Sequence, residues 1–180
     1  MKAAVAPLAS LAALALVASL LLTTLPAQAH DLTPEQLGSV GFDQKIGQRV
    51  SLDLLFRDEN GASVRLGDFF VKDRPVILSL NYFHCQNLCP LELDGIINGL
   101  NGVSFSLGNE FTMITVSIDP REGPGDSADV KARTLRAYDK AGGADGWHVL
   151  TGDQSAIDHL TQAVGFQYAY DPLQDDYAHP

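Results

Sequence analysis

Two apolar runs, PVILSLNYF at 75–83 and FTMITVSID at 111–119, decide most of what this chain can become. A run with so few charged positions suits a strand covered on both faces, as in a sheet flanked by helices. Between them, LELDGIINGL repeats Leu93, Ile96, Ile97 and Leu100 at three- and four-residue intervals, the period of a helix, and Pro90 fits its first turn. The pattern continues downstream. VKARTLRAYDKA reads as a helix capped by Ser127 or Asp126 and stopped at Gly142-Gly143, and GWHVLTG reads as a short strand. SAIDHLTQAVG reads as a helix opened by Asp153 or Ser155, with Ile157, Leu160 and Val164 on one face, before FQYAYD returns as a strand. Upstream, SLDLLFR and ENGASVRL form a hairpin whose turn takes positive φ angles from Asn60-Gly61. Strands alternating with helices predict an α/β domain over residues 50–180, with a mixed sheet, helices on both faces and a site at the C-terminal ends of the strands.

The N-terminal thirty residues are of another kind. After Lys2 the chain is uncharged from Ala3 to Ala29 and ends in Ala27-Gln28-Ala29, a small-residue box that marks residues 1–29 as a secretory signal. The stretch is also long enough to span a bilayer, so an uncleaved anchor is the competing expectation. Residues 30–49 read as an extended lead-in with scattered turn formers. The chain carries 12 basic and 22 acidic residues, a net charge of −10, and loss of Lys2 makes it −11. Nucleic acid is excluded as a partner on this balance, because phosphate backbones are bound by clustered Lys and Arg. Surface acidity serves solubility and steering towards a cationic patch on a partner.

Both cysteines, Cys85 and Cys89, lie in NYFHCQNLCP between the first buried strand and the helix. The unpaired amides at a helix start and the helix dipole favour negative charge, which eases thiolate formation. A four-residue separation puts both sulfurs on one side of a first turn. A structural disulfide, a thiol-disulfide exchanger and a metal clamp all fit. Three intervening residues, one more than in the thioredoxin-type motif, favour a chelate, and soft thiolates select Cu(I) while imidazole adds affinity for Cu(II). Among the histidines, His30 reads as a flexible terminus, His84 as a loop or core residue, His148 as structural and His159 as solvated. His179 sits in a polar loop after a buried strand, where function tends to be carried.

Taken in order, NYFHCQNLCPLELDGI, TVSIDPREGP, GWHVLTGD, AVGFQYAYD and DDYAHP resemble the Sco/SenC copper proteins over about residue 36 to the end. The resemblance implies a thioredoxin-like fold and a periplasmic metallochaperone that assists assembly of the binuclear copper centre of cytochrome c oxidase. Its cargo is a copper ion, Cu(I) or Cu(II), held by Cys85, Cys89 and His179. The implied partner is the copper-bearing oxidase subunit, with other periplasmic copper carriers or thioredoxin-like reductants beside it. Asp119 is implied to order the loop near the metal without binding it, although an Asp before Pro also caps a turn in its own right. Tyr82 and Pro90 are expected to pack and shape the loop. Many relatives have proline where this chain has Gln86. A second role, keeping a partner's copper-site cysteines reduced, needs no His179. Relatives also continue past the histidine with a hairpin and helix, so a chain shortened at its C-terminus, with exposed edges and a loosely held His179, is expected.

Overall fold

The computed structural model describes residues 38–85 and 88–180. The signal or anchor at 1–29, His30, the start of the lead-in and Gln86 therefore fall outside the described residues. The strands are β1 (Gly41–Phe42), β2 (Leu55–Arg57), β3 (Ser63–Arg65), β4 (Val76–Asn81), β5 (Thr112–Ser117), β6 (Trp147–Leu150), β7 (Phe166–Gln167), β8 (Ala169–Asp171) and β9 (Asp176–Ala178). The helices are α1 (Leu88–Gly102), α2 (Pro124–Ala137), α3 (Gly143–Gly146) and α4 (Gln154–Val164). A 3-10 turn, Leu66–Phe69, follows β3.

The two apolar runs become β4 and β5, which pair in parallel, and β6 adds in parallel on the far side of β5. All six residues of β5 are buried, as its uninterrupted run requires. Its alternate side chains feed two cores. Ile114 and Val116 pack with Phe56, Leu80, Leu150, Ile157 and Leu160 on the α4 side. Met113 packs with Leu93, Ile97, Val130 and Trp147 on the side of α1 and α2. Trp147 is fully buried, and its indole N–H donates to Thr115 Oγ1 at 3.0 Å, so its one polar group is not stranded. The sheet is mixed because Arg57, at the end of β2, forms an antiparallel bridge with Thr151 just beyond β6.

Local chemistry explains where elements begin and end. The β2–β3 turn needs a positive φ only at Gly61 (82°), not at Asn60 as the Asn-Gly pair suggests, since the Asp58 carboxylate takes the amides of Asn60 and Ala62 at 2.9 and 2.8 Å and shapes a longer loop. Helix α2 starts earlier than expected, with Pro124 at its first position and Asp126 reaching back to the Gly123 amide at 2.8 Å. It stops at Ala137, short of Gly142, because Asn101 Nδ2 donates to the Ala137 carbonyl and Asn101 Oδ1 accepts the Asp139 N–H. Helix α4 opens on Asp153, whose carboxylate accepts the Ala156 amide at 2.8 Å, and closes on Gly165 at φ 77°, where an added Cβ would lie 1.8 Å from the Asp43 carbonyl oxygen. Asp153→Ala should cost about 1 kcal/mol of stability, read as a lower denaturant midpoint at unchanged slope.

FQYAYD does not form one unpaired strand. Phe166–Gln167 pairs with Gly41–Phe42 of the lead-in, and Ala169–Asp171 pairs antiparallel with Asp176–Ala178. The polar tail thus closes a hairpin, with Asp175 at φ 51° in its turn and His179 immediately after its second strand.

Candidate metal centre

Strand β4 delivers the chain to the cysteines. Beyond Asn81 the backbone turns through Tyr82, Phe83 and His84 to Cys85, and α1 begins at Leu88, so Cys89 lies in the first helical turn and Cys85 before it. Both are free thiols and both are buried, at 8% and 3% exposure. The two thiols hydrogen-bond with each other. From the far end of the chain, His179 Nε2 stands 3.4 Å from Cys89 Sγ. Its ring lies edge-on to Tyr82 and stacked near Phe166, with both centroid distances 6.1 Å. Among the described residues no three Cys, His, Asp or Glu side chains already surround one point. The fold gathers the two sulfurs and the ring nitrogen as a chain of contacts instead.

The helix start does not make Cys89 acidic. Burial pushes its thiol up to about 12, and the hydrogen bond and charge of Cys85 and the charge of Glu92 act in the same direction, against a lowering contribution from the Tyr82 backbone. Desolvation of a nearly enclosed sulfur outweighs the dipole on which the sequence expectation rested. Tyr82 does more than pack: its hydroxyl donates to Asp176 Oδ1 and also hydrogen-bonds with Cys85, and burial first, then Asp176, raises its pKa.

Asp119 is buried and touches neither sulfur nor imidazole in any hydrogen bond described. Its Oδ1 accepts the Arg121 amide at 2.9 Å, a turn-capping bond, and its two oxygens take Arg121 Nε at 2.9 and 3.1 Å and Nη2 at 2.7 Å. Burial would raise its pKa, but the Arg121 hydrogen bonds and charge and the Tyr177 hydroxyl outweigh that and hold the carboxyl below the usual range. The other histidines stand apart. His148 stacks on Phe69 at 4.1 Å, and burial, helped by Lys131, lowers its pKa. His159 Nδ1 meets its own helix at Ser155 O, and His84 is exposed between Glu122 and Asp126.

Sequence reasoning missed Glu122. In a loop of turn formers a charged side chain reads as solvated, yet this carboxylate is 5% exposed and accepts hydrogen bonds from the backbone of the cysteine loop. Tyr82, Asp119, Arg121, Asp175 and Asp176 line an adjoining cavity of about 540 Å³.

A thioredoxin-like α/β fold that holds a free dithiol at a strand-to-helix junction, with an imidazole from a distant hairpin against it, defines a dithiol protein with a candidate metal site. The family profile described as SCO1/SenC matches residues 43–180, and the chain belongs to that family. Among solved structures, it is similar to a candidate electron transfer protein from Aquifex aeolicus VF5, at 26% identity and TM-score 0.60, over 74% of this chain and 73% of that one. It shares its fold with ScoI of Bradyrhizobium japonicum, solved with copper bound, at 22% identity and TM-score 0.51, over 72% and 76%. No curated protein matches the sequence. Among the described residues, no helix is long and apolar enough to cross a membrane.

Proposed function

We propose that this protein is a periplasmic copper metallochaperone in which Cys85, Cys89 and His179 hold one copper ion for delivery to the binuclear copper site of cytochrome c oxidase. The observation that carries the reading is the 3.4 Å approach of His179 Nε2 to Cys89 Sγ across 90 residues of sequence, beside a second free thiol. Two donors bound to one ion through bonds of about 2.0–2.3 Å stand at a comparable separation. The donor set suits the cargo: thiolates are soft and select Cu(I), while imidazole accommodates Cu(II). Apolar side chains flank the donors, with Phe166 and Tyr82 beside the imidazole and Leu80 in the same core cluster as both sulfurs. Delivery follows by ligand exchange with a partner's thiolates, and the acidity of the chain suits a partner with a basic face. Asp119 orders the neighbouring loop through Arg121. The N-terminal segment serves export, either cleaved or kept as an inner-membrane anchor.

A second reading, a thiol-disulfide reductase acting on a partner's copper-site cysteines, draws on the contact between two free thiols. It is the weaker of the two because sulfur exchange needs no imidazole and leaves the approach of His179 to Cys89 without a role.

The Cys89 proton supplies the test. A thiol with its pKa pushed up to about 12 must release its proton to bind a soft ion, so copper affinity should rise with pH. Competition titrations of the reduced protein with Cu(I) between pH 6 and 8 should show roughly a tenfold gain per pH unit for each thiol deprotonated, with one ion bound. A flat pH profile, or binding that survives blocking of both thiols, would remove the assignment.

A further inference from the structure

The segments that bring sulfur and imidazole together are each poorly held by their own secondary structure. Residues 82–85 lie between β4 and α1, where the amides of Phe83 and His84 have no ladder or helix partner. The β8–β9 hairpin that carries His179 has strands of three residues each, and an isolated two-stranded hairpin of that size is marginal in water. Two consecutive side chains from the loop after β5, Arg121 and Glu122, reach one segment each.

Glu122 points inward. Its Oε1 and Oε2 accept the Phe83 amide at 2.7 and 2.9 Å, and Oε1 accepts the His84 amide at 2.8 Å. Oε2 takes the Ser117 hydroxyl at 2.5 Å, and the His84 ring stands over Oε1 at 3.0 Å. Successive backbone N–H groups converging on one anion make a nest, here filled by a side chain of the protein itself. Arg121 points the other way. Nη1 donates to Asp175 at 2.5 Å in the hairpin turn and to the Tyr170 hydroxyl at 3.4 Å, and the guanidinium lies over the rings of Tyr170 and Tyr177 at 5.1 and 5.9 Å. Asp119 takes the remaining edge of the guanidinium, so the fork is held from both sides. Ser117 joins the two halves, since its oxygen also accepts the Asp119 amide at 3.0 Å.

We propose that Arg121 and Glu122 are the positioning residues of the site, a two-armed bracket in which Glu122 fixes the cysteine loop and Arg121 fixes the hairpin bearing His179. The places of Cys85 and of the imidazole are then set by one short loop, around a Cys89 that α1 itself holds. This rests on the proposed copper site only in treating Cys85, Cys89 and His179 as ligands.

The test compares Arg121→Gln, Arg121→Lys, Glu122→Gln and His179→Ala with the parent and with the double variants on His179→Ala. In the reduced, metal-free protein, amide hydrogen exchange should rise more than about tenfold at Phe83 and His84 in Glu122→Gln. In Arg121→Gln the rise should fall in β8 and β9 alone, with Val116 in the core unchanged in both. Copper affinity should fall about 10–100-fold in each single bracket variant, as when a ligand loses its supporting partner. On the His179→Ala background, Arg121→Gln should add no more than about a twofold loss, because it acts through the imidazole, whereas Glu122→Gln should keep its full effect. Arg121→Lys should behave like Arg121→Gln, because an ammonium cannot fork between Asp119 and Asp175. Exchange unchanged at Phe83 and His84 in Glu122→Gln, or a full additional loss from Arg121→Gln without His179, would overturn the bracket. The exchange measurements hold no metal, so they test it even if copper does not bind.

Discussion

Cys85→Ser, and separately Cys89→Ser, should abolish tight Cu(I) binding in a protein that still folds. Each substitution replaces a soft donor by a hydroxyl that holds Cu(I) poorly, leaving one thiolate and one imidazole. Loss of an outer partner of a metal ligand already costs about 10–100-fold in affinity, so loss of a ligand sulfur should exceed 100-fold. The two positions should differ in stability. Cys89 is the more deeply buried and meets both Cys85 and His179, so a serine hydroxyl there must find a partner or be desolvated, at a cost of about 1–3 kcal/mol if it finds none. Cys85 meets the Tyr82 oxygen, whose own proton goes to Asp176, and a serine hydroxyl can donate to that oxygen as the thiol does. The thiolate-to-copper charge-transfer absorption of the Cu(II) form should vanish or lose intensity in both. Full stoichiometry with unchanged absorption in Cys85→Ser would sink the ligand assignment.

How much of this was legible in the sequence depends on whether the deciding interaction is local. The runs that became β4 and β5 announce burial in their own composition, and the Asp153 cap and the Gly165 stop depend on bonds within four residues. Where a distant group decides, the reading failed. Helix α2 ends at Ala137 because Asn101, from another helix, takes its last carbonyl, which no periodicity in VKARTLRAYDKA can signal. The tail Asp176–Ala178 is too polar to read as a strand, yet it pairs with β8, where the tilted rings of Tyr170 and Tyr177 meet at 5.0 Å and Arg121 covers them. At the site, the cysteine pair and His179 stood out by type and spacing, but their chemistry did not. A helix start predicts an easier thiolate, whereas the packing around Cys89 has the larger effect and the opposite sign. Glu122 left only a faint trace, a carboxylate two residues beyond the strand-end Asp119-Pro120, and only the fold brings it to the cysteine loop.

His179→Ala and His179→Phe should separate the imidazole's chemistry from its packing, and with it the chaperone from the reductase. The ring lies between Tyr82 and Phe166, so alanine removes both a nitrogen donor and a packed surface, while phenylalanine removes the donor and keeps most of the apolar contact. If Nε2 binds copper, the two variants should lose Cu(II) affinity alike, by more than about 100-fold on the same reasoning as for the sulfurs. Cu(I) should suffer less, because two thiolates remain and soft donors suffice for it. Nitrogen hyperfine structure from the imidazole should disappear from the electron paramagnetic resonance of the Cu(II) form. Exchange of the dithiol with a model disulfide should change little in His179→Phe, since the nitrogen takes no part in sulfur attack on sulfur. The opposite pattern, Cu(II) held as tightly as by the parent with its nitrogen lines intact, would detach His179 from the metal. Its 3.4 Å approach to Cys89 would then be a packing contact of the β8–β9 hairpin, and the dithiol alone would have to account for any function at this junction.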